Sequence, residues 1–246
     1  MIYNQLISKK KAGEKSLAIL VDPDHATNKQ FEAQVQHGID AEVDYFFIGG
    51  SLIVNNILDE CLAHIRAQCD IPLVLFPGNS FQLSYRADAL LFLSLVSGRN
   101  AELLIGKHVV TAPYLKASPL EILSTGYMLI DGGIATTVSY ISNTVPIPSD
   151  KTDIAICTAM AAEMLGMKLI FMDAGSGART PVSTDMIEAV SQVVDIPLIV
   201  GGGIRTPERA LDNINAGADL IVVGNATEEN PSLIGEIASA IKTSVH

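Results

Sequence analysis

Asp173-Ala174-Gly175-Ser176-Gly177-Ala178, Gly201-Gly202-Gly203-Ile204-Arg205 and Val222-Val223-Gly224-Asn225 are the stretches that decide how this sequence folds. Each closes a short run of apolar, β-type residues. Glycines carry no side chain, so backbone N–H groups can approach an anion closely, and a helix beginning directly afterwards adds its positive end. The plain alternative, that the glycines only make tight strand-to-helix turns, accounts for one such turn well and for three in succession poorly. Together they describe a cradle for a small phosphate ester.

Working outward from these turns, apolar β-branched runs bounded by turn residues predict eight strands, at 17–21, 45–48, 72–76, 89–93, 127–130, 169–172, 197–200 and 220–223. Apolar residues at three- and four-residue spacing predict helices at 28–37, 56–68, 152–165, 184–194, 207–216 and 233–241. Strands alternating with helices imply parallel pairing through right-handed crossovers. Eight repeats in 246 residues favour a closed (β/α)8 TIM barrel, with residues 1–246 as one domain. Asp195-Ile196-Pro197-Leu198 repeats Asp70-Ile71-Pro72-Leu73, and both read as helix-to-strand joints. The connections 94–125 and 131–150 are long for a compact domain, and the second is expected to form an irregular lid or wall.

Composition narrows the partners. The formal charge of −11 repels nucleic acid and anionic surfaces at long range, so a phosphate must be captured by local groups and no nucleic-acid role is expected. Cys61, Cys69 and Cys157 form no CxxC pair and leave an odd count, which suits a reducing, cytoplasmic setting. Lys9-Lys10-Lys11 follow the first apolar residues, the reverse of a secretory signal, and no apolar run reaches the length of a membrane span.

In such a barrel the reacting groups stand at the C-terminal ends of the strands, and phosphate often binds after strands seven and eight. That rule collects Asp22, Asp24, Gly50, Ser51, Pro77, Asn79, Asp131 and Asp173. Asp22-Pro23-Asp24 reads either as a capped turn or as a carboxylate holding Mg²⁺, which takes one or two carboxylates and completes its shell with water and substrate phosphate oxygens. Ser51 adds a hydroxyl or is a turn residue. A carboxylate at Asp173, beside bound phosphate, is unfavourable unless a cation or a reacting hydroxyl compensates, so it is a general-base candidate beside a structural hydrogen-bonding alternative. Tyr127, placed at the start of strand five, either takes part or fills the barrel. Arg179 and Arg205 follow glycine turns and reach phosphate or a surface partner, while Arg86, Arg99 and Lys107-His108 could meet a second anionic substrate. The histidines have no metal-ligand spacing, and no zinc site is expected.

Taken together, Leu20-Val21-Asp22-Pro23-Asp24, Ile48-Gly49-Gly50-Ser51, Phe76-Pro77-Gly78-Asn79, Ser97-Gly98-Arg99-Asn100, Ile105-Gly106-Lys107-His108, Thr125-Gly126-Tyr127 and the three glycine turns resemble the geranylgeranylglyceryl phosphate synthase family, including its bacterial PcrB relatives. The resemblance implies a Mg²⁺-dependent prenyltransferase that joins the C3 hydroxyl of sn-glycerol 1-phosphate to a polyprenyl group from its diphosphate, geranylgeranyl in the first instance and heptaprenyl as the alternative. It implies Asp22 and Ser51 as metal ligands, and Phe171, Met172, Asp173, Ala174, Gly175, Ser176, Gly177, Gly202, Gly203, Gly224 and Asn225 as the glycerol phosphate site, with Asp173 and Tyr127 catalytic. It implies a homo-oligomer in transient contact with the membrane that supplies its lipid. The family commonly carries Glu where this chain has Asp173, one methylene longer, so here the reach to the hydroxyl is bridged by a shifted substrate or a water. Ile53, Phe81, Phe92, Leu95, Val96, Tyr114 and Leu115 are the groove candidates for the prenyl tail. Outside this family, the phosphate cradle alone would also suit a sugar-phosphate isomerase or lyase or a non-catalytic binder, although no predicted strand ends in a Schiff-base lysine.

Overall fold

A computed structural model describes residues 1–26, 28–55 and 57–243. Eight parallel strands, β1 (Ser16–Val21), β2 (Tyr45–Gly50), β3 (Leu73–Pro77), β4 (Ala89–Leu95), β5 (Glu121–Leu129), β6 (Leu169–Asp173), β7 (Leu198–Gly201) and β8 (Leu220–Val223), close on themselves in chain order. Around them lie α1 (Ile2–Ala12), α2 (Lys29–Asp40), α3 (Leu58–Arg66), α4 (Lys107–Ala117), α5 (Thr137–Ser142), α6 (Thr152–Met164), α7 (Thr184–Ser191), α8 (Pro207–Asn215), α9 (Asn225–Glu229) and α10 (Leu233–Thr243). The expected TIM barrel is therefore present.

Strand alternation sorts the apolar residues into two cores. Ala18, Phe47, Val74, Leu91, Leu123, Tyr127, Phe171, Ile199 and Val222 fill the barrel, while Ile19, Ile48, Leu75, Leu90, Met128, Met172, Val200 and Val223 pack outward under the helices. The helices start where the sequence supplies caps: Asn28 accepts from the Phe31 N–H at 2.7 Å, and Thr206 accepts from the Arg209 N–H ahead of Pro207, a residue suited to the first helical position.

The N-terminal face is built for stability. Asp44, Asp88 and Asp219, each directly before a strand, accept an N–H at the start of the neighbouring strand, from Leu17 (2.8 Å), Leu73 (2.7 Å) and Leu198 (2.9 Å). Lys9, Arg66 and Lys10 pair with these same carboxylates. Helix α1 plugs this end with Ile2 and Leu6, and the Glu121 carboxylate receives the N–H groups of Ile2 and Tyr3. The lysines near the N-terminus, read above only as the wrong order for a signal, thus tie this plug to the barrel.

Four segments differ from the sequence reading. Strand five starts at Glu121, not at residue 127; Glu121, Ser124, Thr125 and Gly126 interrupt the apolar run, yet the segment pairs with β4 from Ala89 to Leu95. The long connection at 94–125 contains a π-turn (Glu102–Gly106) and α4, masked in sequence by Pro113 and by β-branched residues on an exposed face. Likewise 131–150 is not wholly irregular, since Thr136 and Ser139 form a capping box that starts α5. The helix expected from residue 56 begins at Leu58, and Asn56 itself lies outside the described residues.

Between β3 and β4 the described chain carries no crossover helix, and it runs through turns from Pro77 to Ala89. The flank beside β4 is left to α4 and its π-turn. Among the described residues no helix is long and apolar enough to cross a membrane.

Candidate active site

At the C-terminal end of the barrel, the loops after β1, β2, β6, β7 and β8 enclose a polar cavity of about 200 Å³. The three glycine turns supply Gly175, Ser176, Gly177, Gly202, Gly203, Gly224 and Asn225 to one wall, and Asp22 and Ser51 stand on another. Ser176 donates to the Asn225 side-chain oxygen at 2.6 Å, bringing the first and third turns together. Gly202 and Gly203 have φ of +81° and +71°, a region in which a side chain is strained. A Cβ on Gly202 would lie 2.5 Å from Asp173 Oδ1 and 2.7 Å from the amide nitrogens of Ala174 and Gly175. Glycine is therefore required for the second turn to lie against the first. A helix follows directly only after β8; after β6 and β7 the donors belong to the turns themselves, a correction to the expectation of a helix end behind each.

Asp173 ends β6 with its side chain pointing into the barrel. Its Oδ1 accepts from the Gly175 N–H at 2.7 Å and its Oδ2 from the Tyr127 hydroxyl at 2.5 Å. Burial raises the Asp173 pKa above the ordinary aspartate value, against the lowering effect of those two hydrogen bonds. Burial and the Asp173 charge push Tyr127 well above its ordinary value, so its hydroxyl keeps its proton. Because β5 begins six residues earlier than expected, Tyr127 lies in the C-terminal half of its strand, not at its start. It packs with Phe76 and Phe171 at centroid distances of 6.1 and 5.5 Å, an aromatic floor under the cavity.

Of the stretch expected to bind glycerol phosphate, Phe171, Asp173, Gly175, Ser176 and Gly177 line the cavity, whereas Met172 and Ala174 do not. Met172 points outward into the layer under the helices, as alternation requires, and Ala174 packs there too.

The two carboxylates of Asp22-Pro23-Asp24 divide the work. Asp24 accepts from the Val54 and Asn55 N–H groups at 2.8 and 2.9 Å, lashing the loop after β1 to the loop after β2. Asp22 accepts from the Asp24 N–H through Oδ1, and among the described residues no hydrogen bond reaches Oδ2. That oxygen lies 3.6 Å from where a Gly50 Cβ would sit, next to Ser51. Burial raises the Asp22 pKa. The described residues offer no cluster of three or more His, Cys, Asp or Glu able to hold a metal. A carboxylate and a hydroxyl are hard oxygen donors that suit Mg²⁺, which completes its shell with water and substrate phosphate.

A second cavity, of about 160 Å³, runs between the barrel wall and α4. Leu83, Leu90, Leu93, Leu103, Val138 and Ile141 make it apolar, with Phe92, Leu95 and Leu115 from the expected groove. Ile53, Phe81, Val96 and Tyr114, also expected there, do not line it. Leu90 and Leu93 of β4 are visible in the sequence as strand residues but not as groove lining; Val138 and Ile141 are hidden in the connection that contains α5. His108 joins this wall with its ring edge-on to Phe92 at 4.3 Å, and burial lowers its pKa. Lys107 and Asn79 line it too, whereas Arg86, Arg99, Arg179 and Asp131 line neither cavity. Gly50, Ser51, Phe76 and Tyr127 belong to both cavities, so the polar and apolar spaces meet at these residues.

The sequence model of the PcrB family matches residues 9–243. A geranylgeranylglyceryl phosphate synthase of Chitinophaga pinensis is 59% identical over 98% of this chain and 95% of its own length. One from Spirosoma linguale is 52% identical over 95% and 94%. The crystal structure of (S)-3-O-geranylgeranylglyceryl phosphate synthase from Thermoplasma acidophilum, in complex with its substrate sn-glycerol 1-phosphate, superposes with a TM-score of 0.92 at 33% identity, covering 99% of both chains.

Proposed function

The chain belongs to the PcrB family, and from that premise we propose that it is a phosphoglycerol prenyltransferase, a geranylgeranylglyceryl phosphate synthase that joins sn-glycerol 1-phosphate to a polyprenyl group from its diphosphate. The observation that carries this reading is the meeting of the two cavities at Ser51 and Tyr127. One space offers backbone donors to a phosphate monoester, the other an apolar wall to a prenyl tail, and the reacting atoms come together at the junction.

The phosphate sits among the turns of Gly175 to Gly177, Gly202-Gly203 and Gly224-Asn225, and the glycerol C3 hydroxyl points toward Asp173. As the allylic C–O bond breaks, its electron pair leaves with the diphosphate, and the C3 oxygen forms the new bond to the prenyl carbon. Asp173 takes the proton of the C3 hydroxyl directly or through a water, while Tyr127 holds its carboxylate in place. Asp22 and Ser51 would hold Mg²⁺, which would supply positive charge against the departing diphosphate. The aromatic floor of Phe76, Tyr127 and Phe171 supports the junction from inside the barrel.

The enzyme acts in the cytoplasm, in keeping with its unpaired Cys61, Cys69 and Cys157. It works as a homo-oligomer and touches the membrane transiently to collect its donor. Incubation with labelled geranylgeranyl diphosphate, sn-glycerol 1-phosphate and MgCl₂ tests the reading: an ether-linked prenylglyceryl phosphate is expected. Binding of the glycerol phosphate without product would identify a phosphate binder instead.

A further inference from the structure

The polar cavity has to receive two anions, yet among the described residues its lining contains three carboxylates, Asp22, Asp173 and Glu228, and two basic side chains, His25 and Arg205. Arg205 donates to the Ala178 carbonyl at 3.2 Å and so belongs beside the turn after β6, on the phosphate monoester side. His25 lines the same cavity from the short turn Pro23–His25 that follows Asp22, the carboxylate assigned to the departing diphosphate.

Glu228 is the group that the reaction described so far leaves unused. A carboxylate facing an anion site is unfavourable unless it holds a cation. Its Oε2 lies 3.6 Å from His25 Nδ1. Because Nδ1 faces Glu228, the other ring nitrogen, Nε2, is the one left for a ligand, and among the described residues no contact occupies it. The His25 side chain is 54% exposed and lines the polar cavity.

The position of Glu228 is fixed by bonds that neither partner makes. Thr227, fully buried on α9, donates to the Gly224 carbonyl at 2.7 Å and accepts from Gln34 Nε2 at 2.8 Å. The same Gln34 nitrogen donates to the Leu20 carbonyl at 3.2 Å, two residues before Asp22. Gln34 is itself buried, and it ties α9 to the end of β1. The helix that presents Glu228 and the turn that presents His25 are thus held in register.

We propose that His25, oriented by Glu228, is the side chain that grips the diphosphate of the prenyl donor and stabilises it as the allylic bond breaks. The proposal rests on the prenyl-transfer reading above. The electron pair of the broken C–O bond stays on the diphosphate, the His25 N–H donates a hydrogen bond to it, and no proton need be transferred. Glu228 is a positioning residue: it sets which ring nitrogen faces the diphosphate.

Calorimetry on the full chain in MgCl₂, with inorganic pyrophosphate and separately with sn-glycerol 1-phosphate, tests this. His25→Gln is expected to weaken pyrophosphate about tenfold, the size of one charge-assisted hydrogen bond at a partly exposed site, while glycerol phosphate affinity stays unchanged. His25→Lys is expected to return pyrophosphate binding to within about threefold of the native chain, and in turnover the His25→Gln defect should fall on the KM for the prenyl diphosphate and on kcat, not on the KM for glycerol phosphate. In the His25→Gln background, Glu228→Gln should recover part of the lost affinity by removing an unpaired carboxylate, and it should not do so in the native chain. Native-like pyrophosphate binding by His25→Gln, a parallel loss of glycerol phosphate binding, or an equal effect of Glu228→Gln in both backgrounds would each overturn the proposal. If the native chain forms the ether and His25→Gln binds pyrophosphate normally, only the assignment of His25 fails; if the native chain neither binds pyrophosphate nor forms the ether, the reading of the function fails with it.

Discussion

Tyr127 and Asp173 meet inside the barrel across the paired strands β5 and β6, with the tyrosine hydroxyl donating to Asp173 Oδ2 at 2.5 Å while the Gly175 N–H occupies Oδ1. The tyrosine belongs to the junction of the two cavities and the aspartate to the phosphate side, so this hydrogen bond spans the place where the ether would form.

This pair predicts the acid side of the pH profile. Burial raises the Asp173 pKa, so activity that needs its ionised form is lost, as pH falls, at a higher pH than for an ordinary aspartate. The Tyr127 hydrogen bond lowers that pKa; Tyr127→Phe removes the lowering contact and should move the acid limb of kcat/KM upward, with kcat reduced about tenfold. Asp173→Asn should reduce kcat by about 10²–10⁴, the usual range for a lost general base. Burial also raises Asp22, so the shift on Tyr127→Phe, and not the limb alone, identifies Asp173.

Gly202→Ala should damage the phosphate subsite. The added methyl would be 2.5 Å from Asp173 Oδ1 in a backbone with φ of +81°, a conformation costing a non-glycine residue roughly 1–3 kcal/mol. The KM for glycerol phosphate is expected to rise at least about tenfold, and thermal melting should fall in parallel. An unchanged KM would remove the second turn from the phosphate site.

Asp22→Asn and chelation should act alike. Either takes away the carboxylate–metal pair assigned to the departing diphosphate, and turnover should drop by about 10² or more, restored by MgCl₂ after chelation only. Glycerol phosphate binding, measured by calorimetry, should survive both.

Most of this site was legible in the sequence because its parts are local. The three glycine turns, Asp22 and Ser51 each sit directly after an apolar run, and strand order then brings them together. What stayed hidden depends on contacts between distant segments. Glu121 reads as a loop residue until its carboxylate is seen receiving the N-terminus of α1, and its strand pairs along β4 despite Ser124 and Thr125. Alternation could have set Met172 and Ala174 apart from Phe171 and Asp173 in advance, since every second residue of a strand faces the helices. Nothing local marks Gln34 or Glu228; one acts through buried bonds to two other elements, the other through a contact with His25 across more than two hundred residues of chain.

The apolar cavity should govern the donor. Thr111 lines it from α4, and Thr111→Phe fills space that the tail of geranylgeranyl diphosphate requires. The KM for that donor should rise about tenfold, with less effect on geranyl diphosphate and none on glycerol phosphate, because displacing a few buried methylenes is worth about 1–3 kcal/mol. A panel of prenyl lengths up to heptaprenyl diphosphate, run on the native chain and on this variant, checks the assignment.

The central claim is that a hydroxyl held by the phosphate cradle captures the prenyl carbon where the two cavities join. sn-Glycerol 1-phosphate carrying ¹⁸O at C3, turned over with geranylgeranyl diphosphate and followed by mass spectrometry, tests it most directly. The label should be retained in the ether product, with unlabelled diphosphate released; label lost from the ether, or no ether formed while glycerol phosphate binds, would contradict it.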